Sequence, residues 1–158
     1  MTTTDLNGTT CIVTGGGRGL GRSMVHALVG AGANVTAAMH IADDIESETR
    51  DLDGNVKAMV ADIRDPAACT QIVAETVSEF GGVDMLVNNA GVGMLLVSDT
   101  FNRTPTKFWD VKADIWAQII ETNVNGGFQM AREAVPYMLE KSWGRVVNVT
   151  TSIHTMQR

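Results

Sequence analysis

The strongest constraint on this chain is the run Thr14–Gly21, which reads TGGGRGLG. It follows the short apolar run Thr10–Val13 and opens a stretch, Leu20–Ala31, in which Leu20, Met24, Ala27, Leu28 and Ala31 recur at helical spacing. A strand that turns through glycines into a helix presents free backbone N–H groups and a positive dipole end. Gly15 permits the sharp exit from the strand. Gly19 lets the backbone approach an anion. Gly21 lets the helix pack closely on the sheet. The glycines follow G-x-x-x-G-x-G rather than G-x-G-x-x-G, because the sixth position counted from Gly15 is Leu20. A P-loop nearly fits over Gly16–Ser23, but Arg22 stands where lysine is required, and a planar guanidinium is a poor substitute for a point charge. The turn therefore predicts a dinucleotide-phosphate site formed by Thr14, Gly15, Gly17, Arg18, Gly19, Leu20 and Gly21.

An anion site of this local kind suits the overall charge. The net charge is −6 over 158 residues, which repels nucleic acid and anionic membrane surfaces. No apolar run is long enough to span a bilayer, and the polar start MTTTDLNGTT lacks the features of a signal peptide. Cys11 and Cys69 have no metal-ligand spacing and are expected to be buried, reduced thiols. These readings predict a cytoplasmic protein with no nucleic-acid partner, no membrane partner and no metal.

Further along, short apolar runs alternate with longer amphipathic stretches. Strands are expected at Thr10–Val13, Asn34–Ala38, Val56–Ala61, Met85–Val87 and Arg145–Val149. Asp65-Pro66 reads as an N-cap followed by a first-turn proline, and Gly81-Gly82 as a helix stop. Between them, Ile72, Val73, Thr76, Val77 and Phe80 share one face. Ala113–Glu140 reads as one long helix, while Gly93–Lys112 is irregular. Apolar rather than alternating strands, interleaved with helices, mean a parallel sheet covered on both faces. The fold class is α/β, a Rossmann-type doubly wound parallel sheet with about five strands, in one domain spanning residues 1–158.

At four stations, in order, the chain resembles the short-chain dehydrogenase/reductases. Thr14–Gly21 is similar to the family's TGxxxGxG. Asp62-Ile63 follows the third strand, where the family places an aspartate near the adenine. Asn88, Asn89, Ala90 and Gly91 (NNAG) follow the fourth strand. Asn123 lies in TNVNGGF, ahead of RVVNVTTS on the fifth strand. The resemblance implies hydride transfer between a nicotinamide cofactor and an alcohol or carbonyl substrate. It also implies a homo-oligomer, dimer or tetramer, paired through the long helix.

The choice of cofactor turns on the end of the second strand. An aspartate there bonds the ribose 2′-hydroxyl of NAD. Counting places Met39 at that position, with His40 next and Asp43 too far along. Arg18 matches a position where NADP-using relatives carry a basic residue, so NADP is preferred and NAD is the alternative. Arg18 could equally be a solvated surface arginine, and His40 an exposed loop residue.

The resemblance further implies a tyrosine acid/base, a lysine that lowers its pKa from ~10, a serine that polarises the substrate oxygen, and an asparagine that orders a relay water. Asn123 fits the asparagine. Direct counting puts Thr151 on the serine's position, with Ser152 one step further; either hydroxyl can donate. The family's Y-x-x-x-K lies beyond the serine and falls past Arg158. Tyr137 and Lys141 form the same string but precede the serine, and are read as a decoy. The chain is accordingly expected to be the front of a longer fold, completed by a C-terminal segment and leaving the fifth strand as an exposed edge. The alternative is a catalytically inactive dinucleotide-binding module or a truncated fragment. Met94, Leu95, Leu96, Phe108 and Trp109 could line an apolar pocket mouth, or belong to a core or a dimer interface.

Overall fold

The structure, a computed structural model, describes residues 5–40 and 55–151. Asp43 and Ser152 lie outside them.

Five parallel strands form the sheet, in the order β3-β2-β1-β4-β5. They are β1 (Thr10–Thr14), β2 (Asn34–Met39), β3 (Val56–Val60), β4 (Met85–Asn88) and β5 (Arg145–Asn148). The chain winds outward from β1 to β3, then crosses back to β4 on the other side. The order reverses between β1 and β4, and a crevice opens there at the carboxyl ends of the strands.

The central strands are apolar because both their faces are covered. Ile12 packs on one face with Ile72, Val73, Leu86, Met130 and Ala134. Cys11 and Val13 pack on the other with Val25, Val35, Ala37 and Val87. The first face is covered by α2 (Pro66–Phe80) and α4 (Gly127–Glu140), the second by α1 (Gly19–Gly30). As the sequence predicts, Asp65 caps α2 by accepting from Ala67 N at 2.9 Å, and Gly81 ends it in the left-handed region.

Three expectations change in detail. The buried stripe of α1 runs through Gly21 and Val25, with Met24, Leu28 and Val29 half-buried; Leu20 and Ala27 face outward. The helix had to turn this way because Gly21, not Leu20, is what fits against the strand–turn backbone. The predicted single helix over 113–140 is divided into α3 (Ala113–Ile120), a π-helical segment (Glu121–Gly126) and α4. The irregular stretch contains two 3-10 turns, Met94–Leu96 and Phe108–Asp110.

Below the sheet, Asp84 joins three elements. Its Oδ2 accepts from Thr10 N at 2.8 Å, and its Oδ1 accepts from Lys141 Nζ at 2.6 Å. Tyr137 packs half-buried against the core. Lys141 thus lies at the amino ends of the strands, away from the crevice, and its partner is a carboxylate rather than Tyr137.

Candidate functional site

The site begins at Thr14, whose side chain is fully buried at the end of β1. Its Oγ1 accepts from the backbone N–H groups of Asn89 and Ala90, both at 3.1 Å, and donates to Val87 O at 3.4 Å. Asn89 answers with its own amide, donating to Thr14 O at 3.0 Å and Gly15 O at 3.2 Å. The glycine turn and the segment after β4 are therefore one hydrogen-bonded unit. Gly16 N donates to Ala38 O at 3.1 Å and ties the same turn to the end of β2.

Two glycines are set by sterics. A Cβ on Gly21 would collide with the carbonyl oxygen of Gly15, so the start of α1 can sit this close to the turn only without a side chain. Gly19 has φ +54° and open space around it, with nothing within 4 Å of where a Cβ would stand. The N-cap, Arg18, makes no side-chain cap, so the first amides of α1 are left to face the crevice. That arrangement suits a phosphate.

A cavity of about 450 Å³ runs from this turn across the sheet. Gly15, Gly17, Arg18, Gly19, Leu20 and Gly21 line its floor; Met39, His40, Asp62, Ile63 and Arg64 line one end; Asn89, Ala90 and Gly91 line the other. A second cavity of about 530 Å³ adjoins it, lined by Thr14, Asn88, Gly91, Asn123, Phe128, Asn148 and Thr150 among others. The sequence-predicted residues therefore converge on two neighbouring spaces. Thr14 and Asn88 fall in the second; Thr151 follows its rim as an exposed residue.

Asn88 and Asn123 are mainly fastened to the protein. Asn88 Nδ2 donates to Gly127 O at 3.2 Å and to Asn148 Oδ1 at 3.0 Å, while its buried Oδ1 has no partner. Asn123 Oδ1 accepts from Val92 N at 2.8 Å and its Nδ2 donates to Val92 O at 2.8 Å. The side chain thus mimics a strand neighbour for the segment after β4. The π-helical segment carries it there, since π turns leave backbone groups off the regular α-helical ladder.

Arg64 is the residue the sequence reading missed. It takes the Asp62 carboxylate in a fork, and the pairing holds that carboxyl below the usual range. His40 Nδ1 stands 3.8 Å from Asp62 Oδ2. The signal available was Asp62 followed two residues on by Arg64 after a strand, a turn pattern in which the aspartate accepts from the backbone of Arg64. Met94, Leu95, Leu96, Phe108 and Trp109 line neither cavity. Phe108 and Trp109 stand edge to face, 5.1 Å apart, and are exposed. Among the described residues, no three potential His, Cys, Asp or Glu ligands gather for a metal, and no helix is long and apolar enough to cross a membrane.

This fold and crevice define a dinucleotide-binding α/β class, and comparison with known proteins narrows it. Residues 9–158 match the family model described as short chain dehydrogenase. The chain belongs to that family of oxidoreductases. It is 30% identical over 149 residues to the 3-oxoacyl-[acyl-carrier-protein] reductase FabG of Salmonella typhimurium, covering 94% of this chain and 57% of the relative. It is 31% identical over 148 residues to the D-beta-hydroxybutyrate dehydrogenase of Rhizobium meliloti, covering 90% and 54%. A crystal structure from Sinorhizobium meliloti 1021, assigned as a short-chain alcohol dehydrogenase, superposes with a TM-score of 0.79 at 30% identity, covering 92% of this chain and 55% of that one. The chain spans little more than half the length of these relatives.

Proposed function

We propose that this chain is the cofactor-binding part of an oxidoreductase that uses NADP(H) in preference to NAD(H) and acts on an alcohol or carbonyl compound. The observation that carries the reading is the uncapped start of α1 over a cavity of about 450 Å³, with Arg18 and His40 on its lining and no carboxylate where β2 ends in Met39. A carboxylate there would repel a 2′-phosphate; a guanidinium and an imidazole attract one.

When bound, the nicotinamide supplies the hydride acceptor or donor. The chain's own residues bind and orient. The amides around Gly17, Arg18, Gly19 and Leu20 hold the pyrophosphate, Asp62 and Ile63 flank the base, and Asn89, Ala90 and Gly91 shape the far end. Thr151, or Ser152 one step on, supplies the hydroxyl that polarises the substrate oxygen. Asn123 acts through the backbone it fixes, because both ends of its side chain are already bonded to Val92. The proton step falls to the tyrosine and lysine that the family resemblance implies; Tyr137 and Lys141 are not that pair, because Lys141 bonds Asp84 at the amino ends of the strands. The same reading makes the protein a homo-oligomer, dimer or tetramer, in which Trp116, Val124, Phe128 and Leu139, all exposed on the α3–α4 region, become covered. Two buried free thiols suit a reducing, cytoplasmic compartment.

Calorimetric titration of the 158-residue chain with NADP+ and NAD+ tests the reading. NADP+ should bind about tenfold more tightly, and Arg18→Gln should remove most of that difference. Equal affinity for the two cofactors would overturn the NADP preference, and absence of binding would overturn the site itself. Binding without turnover on any carbonyl would leave the non-catalytic module as the description of this chain.

A further inference from the structure

Gly126 ends the π-helical segment with φ −60° and ψ −46°, ordinary right-handed geometry that any residue adopts. Alanine favours a helix more than glycine does, so the glycine is not there for backbone freedom. Space is the reason. A Cβ on Gly126 would stand 2.6 Å from Ile63 Cδ1, 2.8 Å from its Cγ1 and 3.2 Å from its carbonyl oxygen. The segment therefore lies directly against the turn after β3.

Ile63 has little freedom to withdraw. It is 6% exposed and belongs to the core that contains Ile72 and Met130. Its carbonyl accepts from Cys69 Sγ at 3.3 Å. The open space beside it is that of the two cavities, both of which it lines, and its neighbours Asp62 and Arg64 line the first. The same π-helical segment reaches the opposite wall, where Asn123 holds Val92 through two hydrogen bonds of 2.8 Å. Val92 also lines the first cavity. One segment thus touches both walls.

We propose that Gly126 is a positioning residue for the cofactor: the room it leaves lets Ile63 sit back, and this sets the width of the cavity end lined by Asp62 and Arg64. The inference rests on the dinucleotide reading above. A side chain at position 126 pushes Ile63 towards the cavities and narrows that end. Overpacking also strains a core in general, so lost affinity alone does not separate positioning from damage. Ile63 separates them. Shortening it to alanine removes both carbon atoms that the new Cβ would meet.

The test is a double-mutant cycle read by calorimetry. NADP+ and adenosine 2′,5′-bisphosphate are titrated into the wild type, Ile63→Ala, Gly126→Ala and the double variant, with thermal melts to confirm folding. Gly126→Ala should weaken both ligands about tenfold. On the Ile63→Ala background the same substitution should cost about twofold or less. A tenfold loss on both backgrounds would overturn the proposal, as would no loss on either. A loss with NADP+ but not with the bisphosphate would also overturn it, because the defect would then lie away from this turn. If Gly126→Ala does not fold by itself, the Ile63→Val and Ile63→Ala backgrounds decide. Valine lacks Cδ1 but keeps a γ-carbon, so the loss should be larger there, and equal losses would overturn the proposal. Failure of the wild type to bind either ligand would instead overturn the dinucleotide reading.

Discussion

The strands β1 and β5 are built of similar material and live in different surroundings. β1 reads TCIVT and all five of its residues are buried; β5 reads RVVN and all four are exposed. β1 has β2 on one side, β4 on the other and packed side chains on both faces. β5 has only β4 beside it among the described residues. Apolar composition therefore makes a strand in both places, but burial comes from neighbours. The same contrast separates the two halves of the site. The turn after β1 is locked by Thr14 and Asn89, whereas Thr150 and Thr151 after β5 are exposed.

Substitutions can sharpen that contrast, and the largest effect is expected at the centre. Ile12→Ala should cost about 3–4 kcal/mol in chemical denaturation, because a fully buried side chain leaves a cavity on the α2–α4 face. If Val147→Ala on β5 cost as much, the contrast would be wrong; about 1 kcal/mol or less is expected there.

Thr14→Val comes next, at about 2–3 kcal/mol, since two backbone N–H groups lose their acceptor where water cannot easily replace it. The same variant should weaken dinucleotide binding, because the turn and the segment after β4 lose their link. Retained affinity would show that Asn89 alone aligns them.

Lys141→Met should cost about 1–2 kcal/mol, less than a fully buried pair, because the lysine is itself half-exposed while Asp84 is not. The thiols report on the same central region. Burial, with Asp84 adding to it, pushes Cys11 up to about 12; burial pushes Cys69 up to about 11. Thiol labelling at pH 8 should follow global unfolding, and rapid labelling of the native chain would contradict a closed core.

The smallest effect is a pH dependence. Asp62 is held below its usual carboxylate range, first by the Arg64 side chain. Its folded-state value is depressed, so its contribution is present above the unfolded value near ~3.9 and is lost as pH falls through the folded one. Arg64→Gln should flatten the acid limb of stability in that window, lowering stability slightly at pH 7 and leaving it unchanged at pH 2, as measured by melts from pH 7 to pH 2.

Much of the scaffold was legible because its signals are local. Asp65-Pro66 and Gly81 set the ends of α2 through backbone geometry that each residue type favours by itself. The glycine turn declared its place between strand and helix for the same reason. Leu20 misled, because helical spacing gives a stripe but not its rotation; the clash that a Cβ at Gly21 would make decided the rotation. The π-helical segment was hidden because Asn123 enters it through a bond to Val92, far away in sequence. Arg64 was overlooked for a related reason. Its role is visible only when Asp62 is known to line a cavity.

The sequence by itself determined the five strands, the limits of α2, the glycine turn at Gly15–Gly21 and the family of the chain, since these show in short runs of residues adjacent in sequence. Tertiary structure alone decided the strand order, the burial of β1 against the exposure of β5, the grouping of the site residues into two cavities and the pairing of Asp62 with Arg64. Those depend on which distant segments share a surface, and there packing and hydrogen-bond satisfaction outweigh local preference.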